Sequence, residues 1–164
     1  MSKTTDNLKA AFAGESQANR KYLAFAKKAD EEGLPQVAKL FRAAAEAETI
    51  HAHAHLRLMK GIGSTAENLK EAVAGETYEF KSMYPEMITD AQAEGEKAAE
   101  RYFAFANKAE ECHAGLYSKA AEKMGELENV DYYVCSVCGH IHEGQPTDKC
   151  PICGAAPKAY VAVA

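Results

Sequence analysis

From the N-terminus to about Glu128, apolar residues recur at alternating spacings of three and four, the period of amphipathic helices. One face of the first segment runs Leu8, Phe12, Glu15, Asn19, Tyr22, Ala26. The second reads Val37, Phe41, Ala44, Glu48, His51, His55, Leu58. The third reads Leu69, Val73, Glu76, Phe80, Met83, with Glu79 beside the stripe. The fourth reads Ala99, Phe103, Ala106, Glu110, His113, Tyr117, Ala120, Met124, Leu127. Four helices are predicted. The first runs from about Thr5 to Glu32, stopped by Gly33 and Pro35, and the second from about Leu34 to Lys60, stopped by Gly61-Ile62-Gly63. Ser64-x-x-Glu67 is a capping box that opens the third, which stops or breaks near Gly95. The fourth reaches about Glu128.

Each stripe holds an acid where an apolar residue belongs, and a charge in a helix seam is costly unless it is paired or bound to a cation. Most of the 24 Asp and Glu are solvated surface, Glu31, Glu32, Glu71, Glu100 and Glu122 among them. That reading is weak for Glu15, Glu48, His51, Glu76, Glu79, Glu110 and His113, because the pattern recurs four times in register. Residues three apart on a helix project to one side, about 5–6 Å between their Cβ atoms. Glu48 and Glu110 are thus placed to bridge two metals while His51 and His113 each cap one. Oxygen and imidazole donors from four helices describe a two-metal carboxylate site.

The chain also repeats itself. Asn7 to Glu15 returns as Asn68 to Glu76 with seven of nine positions identical, at an offset of 61. Glu48 and His51 return as Glu110 and His113 at an offset of 62. A helical hairpin was doubled, with a one-residue change expected in its connection. Glu79 matches Ala18 of the first half, so one metal has a carboxylate that the other lacks.

Periodicity ends near Asn129, where Gly, Pro, Cys and Tyr take over. Cys135-x-x-Cys138-Gly139 and Cys150-Pro151-x-Cys153-Gly154 are two metal knuckles. Gly139 and Gly154 let the backbone curl so that amides approach the sulfurs. Four thiolates hold zinc or iron, and spacing does not choose between them, although a redox role for the helices favours iron. So short a tail needs the metal in order to fold. Disulfides are not expected, because the chain shows no signal peptide and reads as cytoplasmic. Cys112 is read as a packing residue, and His53, His55, His140 and His142 as ordinary polar histidines, with His55 near enough to His51 for a supporting role.

The net charge of −5 argues against nucleic acid and anionic membranes, and the apolar runs fall far short of a membrane span. The 164 residues accommodate one helical domain, 1–129, and a small tail domain, 130–164.

The order Glu, Glu-x-x-His, Glu-x-x-Glu, Glu-x-x-His, then two knuckles, resembles rubrerythrin over essentially the whole chain. The resemblance implies an all-α ferritin-like four-helix bundle with a C-terminal rubredoxin-like domain. It implies a non-haem diiron centre on the seven helical ligands and one iron on Cys135, Cys138, Cys150 and Cys153, with zinc as the alternative there. It also implies an enzyme of oxidative stress defence that reduces hydrogen peroxide to water. The electrons would come from NADH through an electron-donor protein such as rubredoxin or a rubredoxin reductase. His51 would ligate one iron in the reduced state and Glu79 replace it in the oxidised state, while Tyr22 and Tyr84 hydrogen-bond the carboxylates. Ferroxidase activity with iron storage, and a zinc-binding interaction module, are the alternative functions. Only 24 residues separate His51 from Glu76. Helix two travels about 13 Å past His51 and helix three needs about 16 Å to reach Glu76. A four-residue connection, spanning at most about 14 Å, does not return that distance. A homodimer with exchanged helices and two composite sites is therefore expected.

Overall fold

A computed structural model describes residues 2–163. Contacts divide the chain into two units, Met1–Gly63 and Ser64–Ala164.

The first unit is an antiparallel pair, α1 (Lys3–Glu31) and α2 (Pro35–Leu58). Ser2 caps α1, its hydroxyl accepting from the Thr5 amide at 3.2 Å. Gly33, at φ 73°, turns the chain, and Pro35 starts α2 where a missing N–H costs nothing. Beyond Leu58, Lys60 adopts φ 57° and the Gly61 amide donates to Leu56 O at 3.0 Å, closing the helix. The tightest seam between the helices is alanine: Ala26, Ala29, Ala38, Ala45 and Ala52 are all buried. Ala38, Ala45 and Ala52 fall seven apart, and their small side chains let the backbones approach closely. Asn19, also buried, donates to Ala45 O at 2.7 Å and Thr49 Oγ1 at 2.8 Å, tying the helices together. Larger apolar residues of the expected stripe are less covered. Leu8, Phe12 and Phe41 are half-buried, while Val37 and Leu58 remain 42% and 69% exposed, contrary to expectation. The alanine seam is enough to join two helices, and it leaves the bulky face open.

The second unit begins with α3 (Thr65–Tyr78), opened by the expected capping box: Ser64 N donates to Glu67 Oε2 at 2.7 Å and Glu67 N to Ser64 Oγ at 3.3 Å. The helix does not continue unbroken to Gly95. A π-helical turn, Glu79–Met83, intervenes before α4 (Tyr84–Glu94). Pro85 has no N–H to give one turn back and its ring crowds the carbonyl there, so the turn widens. The internal repeat locates the extra residue. Glu15 and Glu76 are 61 apart, yet Tyr22 and Tyr84, and Gly33 and Gly95, are 62 apart. The one-residue change therefore lies in the π turn and not in the inter-helix connection. Gly95, at φ 76°, ends α4, and α5 (Lys97–Glu122) follows, packed on α3 and α4. Helix α5 stops at Glu122, six residues before the expected end, where Gly125 lies in a short turn. Glu100, expected at the surface, is partly covered and pairs with Lys97 Nζ and Gln92 Nε2, each at 3.0 Å.

The tail is a three-stranded antiparallel sheet in the order β2-β1-β3, from β1 (Tyr132–Cys135), β2 (Ile141–Glu143) and β3 (Tyr160–Ala162). It packs on α5 within the same unit: Phe105 lies against the cysteines, and Lys119 Nζ reaches both Glu143 oxygens at 2.8 and 2.9 Å. Among the described residues, no helix is long and apolar enough to cross a membrane.

Candidate metal centres

In the first unit, Glu15 on α1 and Glu48 and His51 on α2 bring ligand atoms within 4.8 Å of one another. His51 Nδ1 lies 2.9 Å from Glu48 Oε2 and 3.9 Å from Glu15 Oε1. The second unit repeats the arrangement with Glu76 on α3 and Glu110 and His113 on α5. There His113 Nδ1 lies 2.6 Å from Glu110 Oε2 and 3.8 Å from Glu76 Oε2. Burial pushes the Glu76 carboxyl up to about 6, and the neighbouring Glu110 carboxylate adds to the shift.

His113 Nε2 is 3.0 Å from the carbonyl of Gly139. A carbonyl only accepts, so Nε2 carries a proton and Nδ1 is the nitrogen that faces the carboxylates. A proton on Nδ1, or a cation in its place, relieves the close approach to the carboxylate oxygen 2.6 Å away, and two carboxylates with one imidazole are a ligand set for such a cation. That donor chemistry fits a metal ion.

The four cysteines form the second candidate centre. Cys135 and Cys153 sulfurs are 3.7 Å apart and Cys138 and Cys150 sulfurs 3.5 Å apart, far beyond a disulfide bond. A tetrahedron with metal–sulfur bonds of about 2.3 Å has edges of about 3.8 Å, so the set fits one ion. Gly139 (φ 81°) and Gly154 (φ 74°) take the left-handed conformation that each knuckle needs. The amides of His140 and Ala155 then reach the sulfurs of Cys138 and Cys153, as the glycine positions predict.

The rubrerythrin family model matches residues 6–121, and the model of the rubrerythrin rubredoxin-like domain matches residues 133–160. The chain belongs to the rubrerythrin family. It is 40% identical to a nigerythrin of Nitratidesulfovibrio vulgaris over 92% of this chain and 81% of that protein. It is 33% identical to a rubrerythrin of the same organism over 97% of this chain and 93% of that protein. A solved structure of fully reduced, all-ferrous nigerythrin matches with a TM-score of 0.60 at 37% identity, covering 99% of this chain and 88% of that one. As a rubrerythrin, the chain combines helices of the ferritin-like type with a rubredoxin-like tail. It carries the ligand sets of a diiron centre and of one cysteine-held iron, in an oxidoreductase family.

The remaining candidates take distinct positions. Glu79 opens the π turn and stands outside the Glu76–Glu110–His113 trio. Its carboxyl is pushed up by burial and by the charge of Glu76. Burial raises the Tyr84 phenol, and the charges of Glu110 and Glu79 add to the shift. Its ring packs 6.2 Å from that of Phe103. Tyr22 packs between Phe25 and Phe41, with ring centroids 6.4 and 6.2 Å away. The two histidines differ: the His51 side chain is 57% exposed and that of His113 15%. His55 Nδ1 is buried without a partner among the described residues. Cys112 behaves as packing, its thiol pushed up by burial and pointed at Ile141 O, 3.6 Å away. Sequence reasoning missed His140, which is 8% exposed and 2.8 Å from the Tyr160 hydroxyl through Nδ1. No periodicity marks that pair, because both residues lie in the irregular tail.

Proposed function

We propose that this chain is a peroxide reductase whose cysteine-held iron refills the diiron centre with electrons. The observation that carries this reading is the hydrogen bond from His113 Nε2 to Gly139 O at 3.0 Å. Gly139 follows Cys138 directly, so one hydrogen bond joins a helical ligand to a knuckle of the same chain. An iron-storage protein has no use for such a link; an enzyme that must be re-reduced does. The functional parts on this reading are a helical catalytic domain, 1–129, and an electron-transfer tail, 130–164.

Hydrogen peroxide accepts two electrons and two protons and leaves as two waters. When bound, the diiron centre supplies the electron pair, and the cysteine-held iron supplies single electrons from a donor protein fed by NADH. The residues do the rest. Glu15, Glu48, Glu76 and Glu110 would hold the two metals, whose positive charge would be balanced by these carboxylates. His113 is fixed through Gly139. His51 is exposed and pairs only with Glu48 and Glu15 among the described residues, so it is free to leave the centre. Glu79 stands ready to replace it, carried on the wide turn that Pro85 imposes. Burial keeps the Tyr84 phenol protonated beside Glu110 and Glu79, where it donates to a carboxylate or to the departing oxygen.

Two copies complete each centre. The trios fold in separate units, and a diiron centre needs both. From His51 to Leu58 and from Thr65 to Glu76 the helices rise about 27 Å together. Lys60 and Gly61 are curled into the cap of α2, and Gly61 to Thr65 spans at most about 14 Å. The half-buried faces of Leu8, Phe12 and Phe41 are what a second copy would cover. A cytoplasmic location suits reduced thiols and an NADH-linked donor.

Glu79→Ala tests the mechanism. Iron should still bind, because both trios are intact. Peroxide turnover should fall by about 10–100-fold, measured by peroxide consumption with a chemical donor to the tail. Full turnover in this variant would end the role given to Glu79.

A further inference from the structure

Helix α2 is apolar on more sides than the first unit covers. Its alanine seam meets α1, and its metal-facing stripe runs from Val37 to Leu58. Charged side chains outside the ligand set are confined to one narrow strip, Lys39, Arg42, Glu46 and Arg57, all exposed. Between that strip and the metal-facing stripe lies a third row, Leu40, Ala43, Ala47, Ile50 and Ala54, at alternating spacings of three and four. Leu40 is 68% exposed and Ile50 60%. A helix that is apolar on three sides is one that is meant to be buried on three sides.

The internal repeat shows what becomes of the same row on α5. At the offset of 62 it reads Tyr102, Phe105, Ala109, Cys112 and Leu116. There the tail takes it. Phe105 packs against the cysteines, Cys112 Sγ lies 3.6 Å from Ile141 O, and Leu116 lines a cavity with Val134 and Ile141. Ala109, at the centre of the row, is only 1% exposed. The chain has a single cysteine tail and α5 holds it, so the row on α2 needs a different occupant. Its side chains also fit a different one. Ala43 and Ala54 stand where α5 has Phe105 and Leu116, the residues that reach the tail, and alanines let the backbone of a second helix approach closely.

The row is complementary to itself. Reversed about Ala47, it sets Leu40 against Ala54 and Ile50 against Ala43, bulky against small at each level, with Ala47 against its own copy. That is the pattern of an isologous contact, in which one patch serves both partners. Leu40 adjoins Phe41, and Ala54 adjoins His55, so the row is continuous with the face that a second copy completes. We propose that two copies of this chain pack α2 against α2, antiparallel, on Leu40, Ala43, Ala47, Ile50 and Ala54, with Ala47 on the two-fold axis. The contact is separate from the exchange of helices, which covers the metal-facing stripe, and it stands whether or not helices exchange.

The test is oxidative cross-linking of the full-length, metal-loaded protein, read on a non-reducing gel. Ala47→Cys puts a thiol on the axis opposite its own copy and should convert most of the protein to a covalent dimer. Leu40→Cys and Ala54→Cys should each stay uncoupled alone, because the two copies of either residue lie about 21 Å apart along the paired helices, beyond the reach of a disulfide. The double variant Leu40→Cys/Ala54→Cys should couple to its copy. Lys39→Cys, on the charged strip, measures random collision, and the unaltered protein with its own Cys112 sets the baseline. Should Ala47→Cys disturb metal loading through its neighbour Glu48, the Leu40 and Ala54 variants carry the test alone. Coupling of Ala47→Cys no greater than that of Lys39→Cys, failure of the double variant to couple, or coupling of Leu40→Cys by itself overturns the inference. Each of these leaves the peroxidase reading and the exchange of helices standing, since neither depends on this row.

Discussion

A Glu48→Ala chain and a Glu110→Ala chain, each inactive alone, should regain about a quarter of the wild-type diiron sites when co-expressed. The expectation follows from the two trios. Glu48→Ala breaks the trio of the first unit and Glu110→Ala that of the second. If helices are exchanged, a mixed dimer has one centre with both defects and one with none. Random pairing makes about half of the dimers mixed. If each chain built its own centre, every centre would carry one defect and mixing would restore nothing. Iron content and peroxide consumption of the co-expressed sample read the outcome, with either variant alone as the zero. The effect is large because each substitution removes one of the three candidate ligands of a trio.

Cys150→Ser should separate a single round of chemistry from sustained turnover. Cys150 is buried in the sulfur cluster, and replacing a thiolate with a hydroxyl weakens a site built for a soft-ligand metal. The helical trios do not touch Cys150, so the reduced variant should consume peroxide once at a rate close to that of the unaltered protein. Steady-state turnover should then fall by about 100-fold or more, because the link through Gly139 has no electron to deliver. Stopped-flow peroxide consumption with limiting and with continuous reductant distinguishes the phases. Loss of the first round as well would mean that the tail supports the fold of its unit and not only its reduction.

Much of this arrangement was legible in the sequence, for a physical reason. Glu15, Glu48, His51, Glu76, Glu110 and His113 sit where an apolar residue would be favoured, and the structure gathers them into two trios. The cysteine knuckles read just as plainly, because the glycines after Cys138 and Cys153 take positive φ. What escaped was set by smaller forces. The π turn is written in Pro85 and in the shift of the repeat from 61 to 62, but periodicity alone runs straight through it. Val37 and Leu58 lie on the apolar stripe, yet the α1–α2 seam closes on alanines, which pack more closely than the larger residues allow. The last turn of α5 was overextended, since Met124 and Leu127 keep the period while Gly125 ends the helix. His140 and Tyr160 meet only through the fold of the tail, twenty residues apart with no regular element to relate them.

The most direct measurement is anaerobic. The iron-loaded protein is fully reduced, and one equivalent of hydrogen peroxide is added while the ferric-thiolate absorption is followed, with dioxygen as the comparison. Rapid return of the band with peroxide, and slow return with oxygen, is the predicted result: electrons leave the cysteine-held iron for peroxide through the helical centre. A band that returns faster with oxygen, or that never returns although peroxide is consumed, would contradict the account.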